Sequence, residues 1–247
     1  MRSRLHSYLP DGSGDIAITA DGPTVYSPDL DPAVAPDGTV AFARGTAITL
    51  AALDGSSAGR EYTLYSGNTD ARHPAWAADG SLLFERTAVQ NPGNPGPTPQ
   101  PDVYRFANGA ATLFLANAAQ PAVSPDGNRI AFLRTDSRGI KQVFTAGANG
   151  VSSLTQITHG DTDATEPSWS PDGSTLAYVM PTWNEVIEVP AAGGARRRQH
   201  PERRRPGLAA ESAAVARHPD RRSGSDPHRH RRLPARLRRP QHRRSVP

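Results

Sequence analysis

The chain has 247 residues, of which 24 are proline, 22 are glycine and 36% are hydrophobic. This composition is typical of a chain with many turns and few long helices. The absence of cysteine excludes disulfide bonds, thiol catalysis and zinc sites built from cysteine.

Charge is distributed unevenly along the chain. Residues 1–194 carry 11 basic and 20 acidic side chains, a net charge of −9, whereas residues 195–247 carry 17 arginines and 4 acidic side chains, a net charge of +13. The overall charge of +4 therefore reflects the C-terminal part, and it does not indicate nucleic-acid binding by the first 194 residues.

The N-terminal segment, residues 1–30, has two arginines near its start but lacks the apolar core of a signal peptide. We therefore expect either a protein that is not exported by that route or a sequence whose true start is missing. No run of about 18 apolar residues occurs, so the sequence predicts no membrane span.

A repeated pattern occupies residues 31–194. Four segments share a proline, a valine or tryptophan, an Asp-Gly pair and an apolar strand that ends in an aromatic residue. They are DPAVAPDGTVAF from Asp31, HPAWAADGSLLF from His73, QPAVSPDGNRIAF from Gln120 and EPSWSPDGSTLAY from Glu166. The Asp-Gly pairs lie 42, 47 and 46 residues apart, at Asp37, Asp79, Asp126 and Asp172. This period is typical of four-stranded propeller blades of roughly 40–50 residues.

Each complete repeat predicts four strands in a meander. Proline is tolerated at the start of a strand, Asp-Gly favours a turn, and the β-branched and aromatic residues that follow favour a buried strand. The strands predicted after the turns are Thr39–Arg44, Ser81–Arg86, Arg129–Arg134 and Thr175–Met180. Further strands are predicted at Thr46–Ala51, Glu61–Tyr65, Asp102–Phe106, Ala111–Leu115, Lys141–Thr145 and Ser152–Ile157. No helical periodicity is visible in these repeats, so the sequence predicts an all-β fold.

The SPDG sequences at Ser124–Gly127 and Ser170–Gly173, each followed by an apolar strand, resemble the WD40-like (PD40) repeat of TolB-type β-propellers. The segment most similar to the family pattern is LTQITHGDTDATEPSWSPDG, Leu154–Gly173. The sequence departs from the pattern at Ala77–Ala78, which replaces Ser-Pro. The resemblance implies a ring of four-stranded blades, and rings of this type usually have six.

The number of repeats predicts an incomplete ring of about four blades. Three complete units are visible at residues 31–72, 73–119 and 120–165, and a fourth begins at residue 166 and loses the pattern after Glu185–Val189. Residues 14–27 could form outer strands of a preceding blade, which in propellers can close the ring with the last blade. An open ring would leave blade faces and strand edges uncovered.

Residues 195–247 are rich in arginine, proline, histidine and alanine and contain no aromatic residue, so we expect a disordered tail. Three explanations stay open: the product of a frame shift in a GC-rich gene, a genuine solvated tail, or a polybasic arm that grips nucleic acid or an anionic membrane. The lack of aromatic side chains argues against sequence-selective binding of single-stranded nucleic acid.

Three motifs match catalytic or metal-binding patterns by letter but not by context. Ser57 lies in a G-x-S-x-G sequence, yet this sequence falls between two predicted strands and not in a strand-to-helix turn. His228 and His230 have metal-like spacing but belong to the predicted tail. A partial calcium-loop pattern, which lacks the glycine and the full ligand set, is formed by Asp161, Thr162, Asp163 and Glu166.

The histidines of the first 194 residues are His6, His73 and His159, and we interpret them as loop or packing residues because no partner nucleophile or acid is evident. The 20 carboxylates of this part could supply an acid/base pair as in glycosidases, but no sequence feature selects one. No phosphate-binding glycine loop occurs.

The tryptophans are assigned by repeat position. Trp76 and Trp169 occupy the same position in their units and are predicted to lie in blade cores, whereas Trp183 follows a predicted turn and could be exposed. The proline-rich segment Asn91–Pro101 is predicted to be a mobile loop or a partner-binding arm.

The sequence therefore assigns no catalytic, cofactor-binding or metal-ligating residue and no cofactor. The resemblance implies a non-catalytic module that binds protein or peptide partners, in a periplasmic or other extracytoplasmic location. One alternative is the propeller of a prolyl-oligopeptidase-type serine peptidase whose α/β-hydrolase domain is not encoded here. The other is polyanion binding through the tail, which would be non-specific for nucleic acid.

Overall fold

The structure is a computed structural model that describes residues 4–20, 28–58, 60–66, 69–88 and 99–198. Within these ranges the chain forms eighteen β-strands and no helix. It follows that no helix long and apolar enough to cross a membrane is found in the described part of the chain.

The strands form one two-stranded hairpin and four four-stranded blades, all antiparallel. The N-terminal hairpin pairs β1 (His6–Ser7) with β2 (Ile16–Ala17). Blade 1 contains β3 (Asp29–Val34), β4 (Thr39–Arg44), β5 (Ala47–Ala52) and β6 (Tyr62–Tyr65). Blade 2 contains β7 (Thr69–Trp76), β8 (Leu82–Ala88), β9 (Asp102–Ala107) and β10 (Ala110–Leu115).

The remaining two blades repeat the same order. Blade 3 contains β11 (Ala119–Val123), β12 (Arg129–Thr135), β13 (Lys141–Gly147) and β14 (Thr155–Gln156). Blade 4 contains β15 (Thr165–Trp169), β16 (Thr175–Met180), β17 (Glu185–Pro190) and β18 (Arg197–Arg198). In every blade the strands are hydrogen-bonded in chain order, as expected for a meander.

The first strands of the blades, β3, β7, β11 and β15, lie side by side around the propeller axis. Among the described strands, β3 and β15 do not pack extensively against each other, so the four blades form an open arc. The prediction of an incomplete propeller of four-stranded blades is confirmed.

The hydrophobic core lies between neighbouring blades. The second strand of each blade directs one buried aromatic ring toward the element that precedes it in the chain: Phe42, Phe84, Phe132 and Tyr178. Each of the three phenylalanine rings removes enough apolar surface from water to contribute about 1.5–3 kcal/mol. Repetition of this contact explains why each unit needs its neighbours for stability.

The Asp-Gly turns form as the sequence predicts. In each, the aspartate carboxylate accepts a hydrogen bond of 2.9–3.1 Å from the backbone N–H two residues later, and the glycine has φ between +68° and +84°. The pKa of the Asp172 carboxyl is lowered to about 2, because it accepts hydrogen bonds from the hydroxyl of Ser170 and from the N–H and hydroxyl of Ser174.

The first strand of each blade contains an irregularity that the sequence did not predict. The residue before the proline has φ between +48° and +54°, and the pairing with the second strand shifts register there. These residues are Asp31, His73, Gln120 and Glu166. Proline therefore lies inside the first strand, after a bulge, and not at the strand's first position.

Most strand boundaries were predicted to within three residues, but the predicted blade 4 ended too early in the chain. The pattern was expected to end after Glu185–Val189, and residues 195–247 were assigned to a tail. Instead Arg197 and Arg198 pair with Glu188 and Ile187 and complete the blade. The rest of the predicted tail, from residue 199, lies outside the described residues. Residues 91–98 of the proline-rich segment also lie outside them.

Candidate binding site at the propeller axis

The four bulged positions converge on one cavity. A cavity of about 340 Å³, here called the axial cavity, opens where the first strands of the blades meet. It is lined by the polar residue and the following proline of each repeat, Asp31–Pro32, His73–Pro74, Gln120–Pro121 and Glu166–Pro167, together with Ser168. Residues more than forty positions apart in the sequence thus share one site because the blades are arranged around an axis.

Hydrogen bonds between blades hold the polar residues in place. The carboxylate of Asp31 accepts a bond of 3.4 Å from the backbone N–H of His73, and the side-chain carbonyl of Gln120 accepts one of 2.5 Å from the N–H of Glu166. Between these, Glu85 accepts a bond of 3.1 Å from the N–H of Gln120. The side-chain oxygens therefore bind backbone donors that the left-handed bulges direct away from the ladder.

His73 and Glu85 form the main ion pair of the site. Nδ1 of His73 lies 3.1 Å from Oε2 of Glu85, and its Nε2 lies 3.7 Å from Oδ2 of Asp31. Burial by itself lowers the pKa of His73, but the bond to Glu85 and the charges of Asp31, Glu85 and Glu166 more than offset it, and the pKa ends above its ordinary value of 6.5. Burial likewise raises the pKa of Glu85, yet the bond and charge of His73 bring it below its ordinary value of 4.5.

The axial cavity is electronegative. Three carboxylates surround one imidazole, so the net charge stays negative even when His73 is protonated. Glu166 is exposed, and Asp31 and His73 are half-exposed, so these groups are accessible from solvent. The arrangement can accept hydrogen bonds from an ammonium or guanidinium group, and the four prolines form part of the cavity wall.

The motifs selected from the sequence lie away from this cavity, except for Glu166. The hydroxyl of Ser57 accepts a 2.6 Å bond from the N–H of Ala52 in the β5–β6 connection. Asp161 pairs with Arg138, and Asp163 accepts a bond from the N–H of Lys141. In the described part of the chain, no group of three or more histidine, cysteine, aspartate or glutamate side chains is arranged to hold a metal ion. His228 and His230 lie outside the described residues.

Trp76 and Trp169, predicted to lie in blade cores, pack against core clusters and also contact the preceding blade. The indole N–H of Trp76 donates to the carbonyl of Ala33 at 3.2 Å, and that of Trp169 donates to the carbonyl of Ala122 at 3.0 Å. Both rings pack against core clusters. Trp183 is exposed in the β16–β17 turn.

Sequence reasoning missed the axial cavity. His73 was interpreted as a loop or packing residue, and Glu85 and Gln120 were not considered. One signal was present: the residue before the repeated proline is polar in all four units, although strand packing by itself does not require this. A polar residue repeated at one blade position points to a shared surface.

Comparison with known proteins gives structural but little sequence similarity. No protein-family model matches the chain. The structure is similar to TolB from Acinetobacter baumannii, with a TM-score of 0.62 and 21% identity, covering 79% of this chain and 48% of that one. It is also similar to a TolB structure from Agrobacterium tumefaciens, with a TM-score of 0.59 and 18% identity, covering 79% of each chain.

Among curated proteins, 79 residues are 30% identical to a Bacillus subtilis (strain 168) protein named uncharacterized peptidase YuxL, covering 30% of this chain and 12% of that protein. The chain therefore spans well under two thirds of the length of YuxL and of the Acinetobacter TolB. The four-stranded blades, their repeated Asp-Gly turns and the structural similarity together show that the chain is a TolB-like β-propeller in fold.

Proposed function

We propose that the chain is a non-catalytic binding module whose axial cavity receives a cationic group of a protein or peptide partner. The observation that carries the proposal is that Asp31 and Glu166 line one accessible cavity, while Glu85 lies behind it against His73. The carboxylate of Asp31 is held by the backbone N–H of His73, so it needs little reorganisation when a lysine, an arginine or an N-terminal ammonium group enters. The TolB-like fold supports an extracytoplasmic location for this module.

The test is a comparison of peptide selectivity. The full chain is screened against an array of random dodecapeptides, beside the variant Asp31→Asn/Glu166→Gln, which keeps side-chain size and removes two charges. We expect the wild type to select peptides that contain lysine or arginine, and the variant to bind them about tenfold more weakly, a change of about 1.4 kcal/mol.

The control variant is Asp161→Asn, which removes an exposed carboxylate outside the axial cavity. It should select the same peptides as the wild type. Equal selection of cationic peptides by the wild type and the axial variant would show that the axial cavity is not the binding site.

The similarity to YuxL favours one alternative, in which the chain forms the propeller part of a larger serine peptidase. A genomic reading frame that continues into an α/β-hydrolase domain would support this alternative. A frame that continues into further SPDG repeats and then stops would support the binding module.

A further inference from the structure

A second cavity lies between blades 2 and 3, beside their Asp-Gly turns. It measures about 150 Å³ and is here called the interblade cavity. Its apolar lining comes from Leu83 and Ile130, which are 1% and 2% exposed, and from the half-buried Val123 and Phe114. It shares no lining residue with the axial cavity, so the two sites are separate.

The neighbouring interfaces show which side chain the repeat places in this region. The indole N–H of Trp76 in blade 2 reaches the carbonyl of Ala33 in blade 1, and that of Trp169 in blade 4 reaches the carbonyl of Ala122 in blade 3. Blade 3 carries Val123 at the same position of its first strand. The interface between blades 2 and 3 therefore has a valine where the other two interfaces have an indole ring.

A second ring is replaced at the same interface. Pro125 in the turn of blade 3 lies against Gly173 in the turn of blade 4, where a Cβ would be 3.8 Å from the proline Cδ. The corresponding residue in the turn of blade 2 is Ala78, which lies against Gly127 of blade 3. Ala78 and Val123, two departures from the repeat pattern, thus line one cavity.

Leu83 fills part of the vacated space. By strand register it occupies the position of Ala41 in blade 1 and of Ala131 in blade 3. Trp76 packs in the cluster that contains Ala41, and Trp169 packs in the cluster that contains Ala131, so a small residue makes room for each ring. Between blades 2 and 3 the larger leucine compensates in part for the valine, and the interblade cavity is the space that remains.

The rim of the cavity pairs an arginine with an aspartate. Arg105 donates from Nε to the hydroxyl of Ser81 at 2.8 Å and from Nη2 to the carboxylate of Asp79. Because the two charges compensate, the rim favours a neutral ligand over an ion. A hydrogen-bonded guanidinium can also stack on a ring, as Arg129 does on Trp169 with its Cζ 4.6 Å from the ring centroid.

We propose that the interblade cavity binds a small, neutral aromatic molecule of about the size of indole. Apolar cavities of about 150 Å³ that are lined by leucine, isoleucine and phenylalanine bind benzene-sized rings. Phe114 and Arg105 line the cavity and supply an aromatic and a cationic contact for such a ring. The ligand occupies the region in which the repeat pattern has a tryptophan side chain.

The test titrates the full chain with a fluorinated indole and follows the fluorine NMR signal of the ligand. We expect saturable binding with a dissociation constant below about 1 mM. The double variant Leu83→Ala/Val123→Trp restores the residue pair of the two neighbouring interfaces and nearly conserves volume, so it should fold. It should weaken binding at least about tenfold, because its own indole fills the cavity.

A second variant blocks the cavity from outside and leaves the core unchanged. Ala148 is an exposed residue at the rim, so Ala148→Phe should weaken indole binding without lowering the thermal unfolding midpoint. Ala192→Phe is the matched control, since Ala192 is an exposed alanine in the β17–β18 turn of blade 4 and lies outside the cavity. It should leave indole affinity unchanged.

The tripeptide Gly-Trp-Gly distinguishes a free ligand from a partner's side chain. It should bind at least about tenfold more weakly than the indole, because its backbone would desolvate the rim formed by Asp79 and Arg105. Equal affinity would assign the cavity to a protein partner and overturn the proposal. It is also overturned if no saturation is reached by about 1 mM indole, or if Ala148→Phe and Ala192→Phe bind indole equally. These outcomes do not bear on the axial cavity, which contains none of the altered residues.

Discussion

At the scale of single residues, the polar position before each repeated proline combines a structural and a functional property. At His73 and Glu166 the left-handed backbone directs the N–H group toward the preceding blade, where the side-chain oxygen of Asp31 or of Gln120 accepts it. Asp, His, Gln and Glu occupy this position, and polar residues tolerate positive φ better than β-branched ones. The residues that connect the blades are therefore also those that face the axial cavity.

The His73–Glu85 pair predicts a stability that depends on pH. The raised pKa of His73 contributes stability that is complete below its ordinary value of 6.5 and is lost as pH rises through the folded-state value. The lowered pKa of Glu85 contributes stability that is complete above 4.5 and is lost as pH falls through the folded-state value. The pair is thus strongest between pH 4.5 and 6.5.

Replacement of His73 tests this pH window. His73→Asn suits the positive φ and removes the charge. We expect it to lower the free energy of unfolding by about 1 kcal/mol near pH 5.5 and by less at pH 8, as measured by urea denaturation. His159→Asn, at an exposed residue outside the cavity, is the control. A loss that is the same at pH 5.5 and pH 8 would contradict the ion-pair explanation.

At the scale of elements, the Asp-Gly turns also serve as contacts between blades. The turn glycines Gly80 and Gly127 have φ of +78° and +69°, so either alanine substitution strains the backbone. A Cβ at Gly127 would also overlap the Cβ of Ala78 in the turn of blade 2, whereas a Cβ at Gly80 would meet nothing within 4 Å. The two glycines differ in packing and share the same backbone requirement.

This difference predicts unequal losses of stability. Gly80→Ala should cost about 1 kcal/mol of unfolding free energy from backbone strain alone. Gly127→Ala should cost about 2–3 kcal/mol, because blades 2 and 3 must also move apart. Urea denaturation followed by tryptophan fluorescence measures both. Equal losses would show that the blades adjust to the added methyl group without cost.

At the scale of the whole molecule, the acidic body and the basic C-terminal part have opposite charges, and strand β18 moves the boundary between them. Arg197 and Arg198 belong to blade 4, so a truncation that respects the fold begins at residue 199 and not at residue 195. The remaining segment still carries most of the positive charge.

Two truncations separate the role of the basic segment from that of the blade. Full-length protein should shift duplex DNA in a gel at low salt, and deletion of residues 199–247 should abolish the shift while leaving the thermal unfolding midpoint unchanged. Deletion of residues 195–247 should lower the midpoint, because β17 loses its partner strand. DNA binding that survives the shorter deletion would place the basic surface on the propeller itself.

The sequence alone determined the all-β fold and the repeated blades, because the turns and second strands depend on short-range chemistry. An aspartate that bonds two residues ahead, a glycine at positive φ and a short apolar run are all local, and Thr39–Arg44 and Thr175–Met180 were predicted at their observed boundaries. The Asp-Gly period then indicated how many blades to expect.

Tertiary structure decided the rest. Arg197–Arg198 is a strand only because β17 offers it an edge, since two arginines have no strand pattern of their own. The axial cavity joins Asp31, His73 and Glu166 across more than a hundred residues. Each depends on contacts between distant segments, whose free energy is settled by the arrangement of the blades and not by any local stretch of chain.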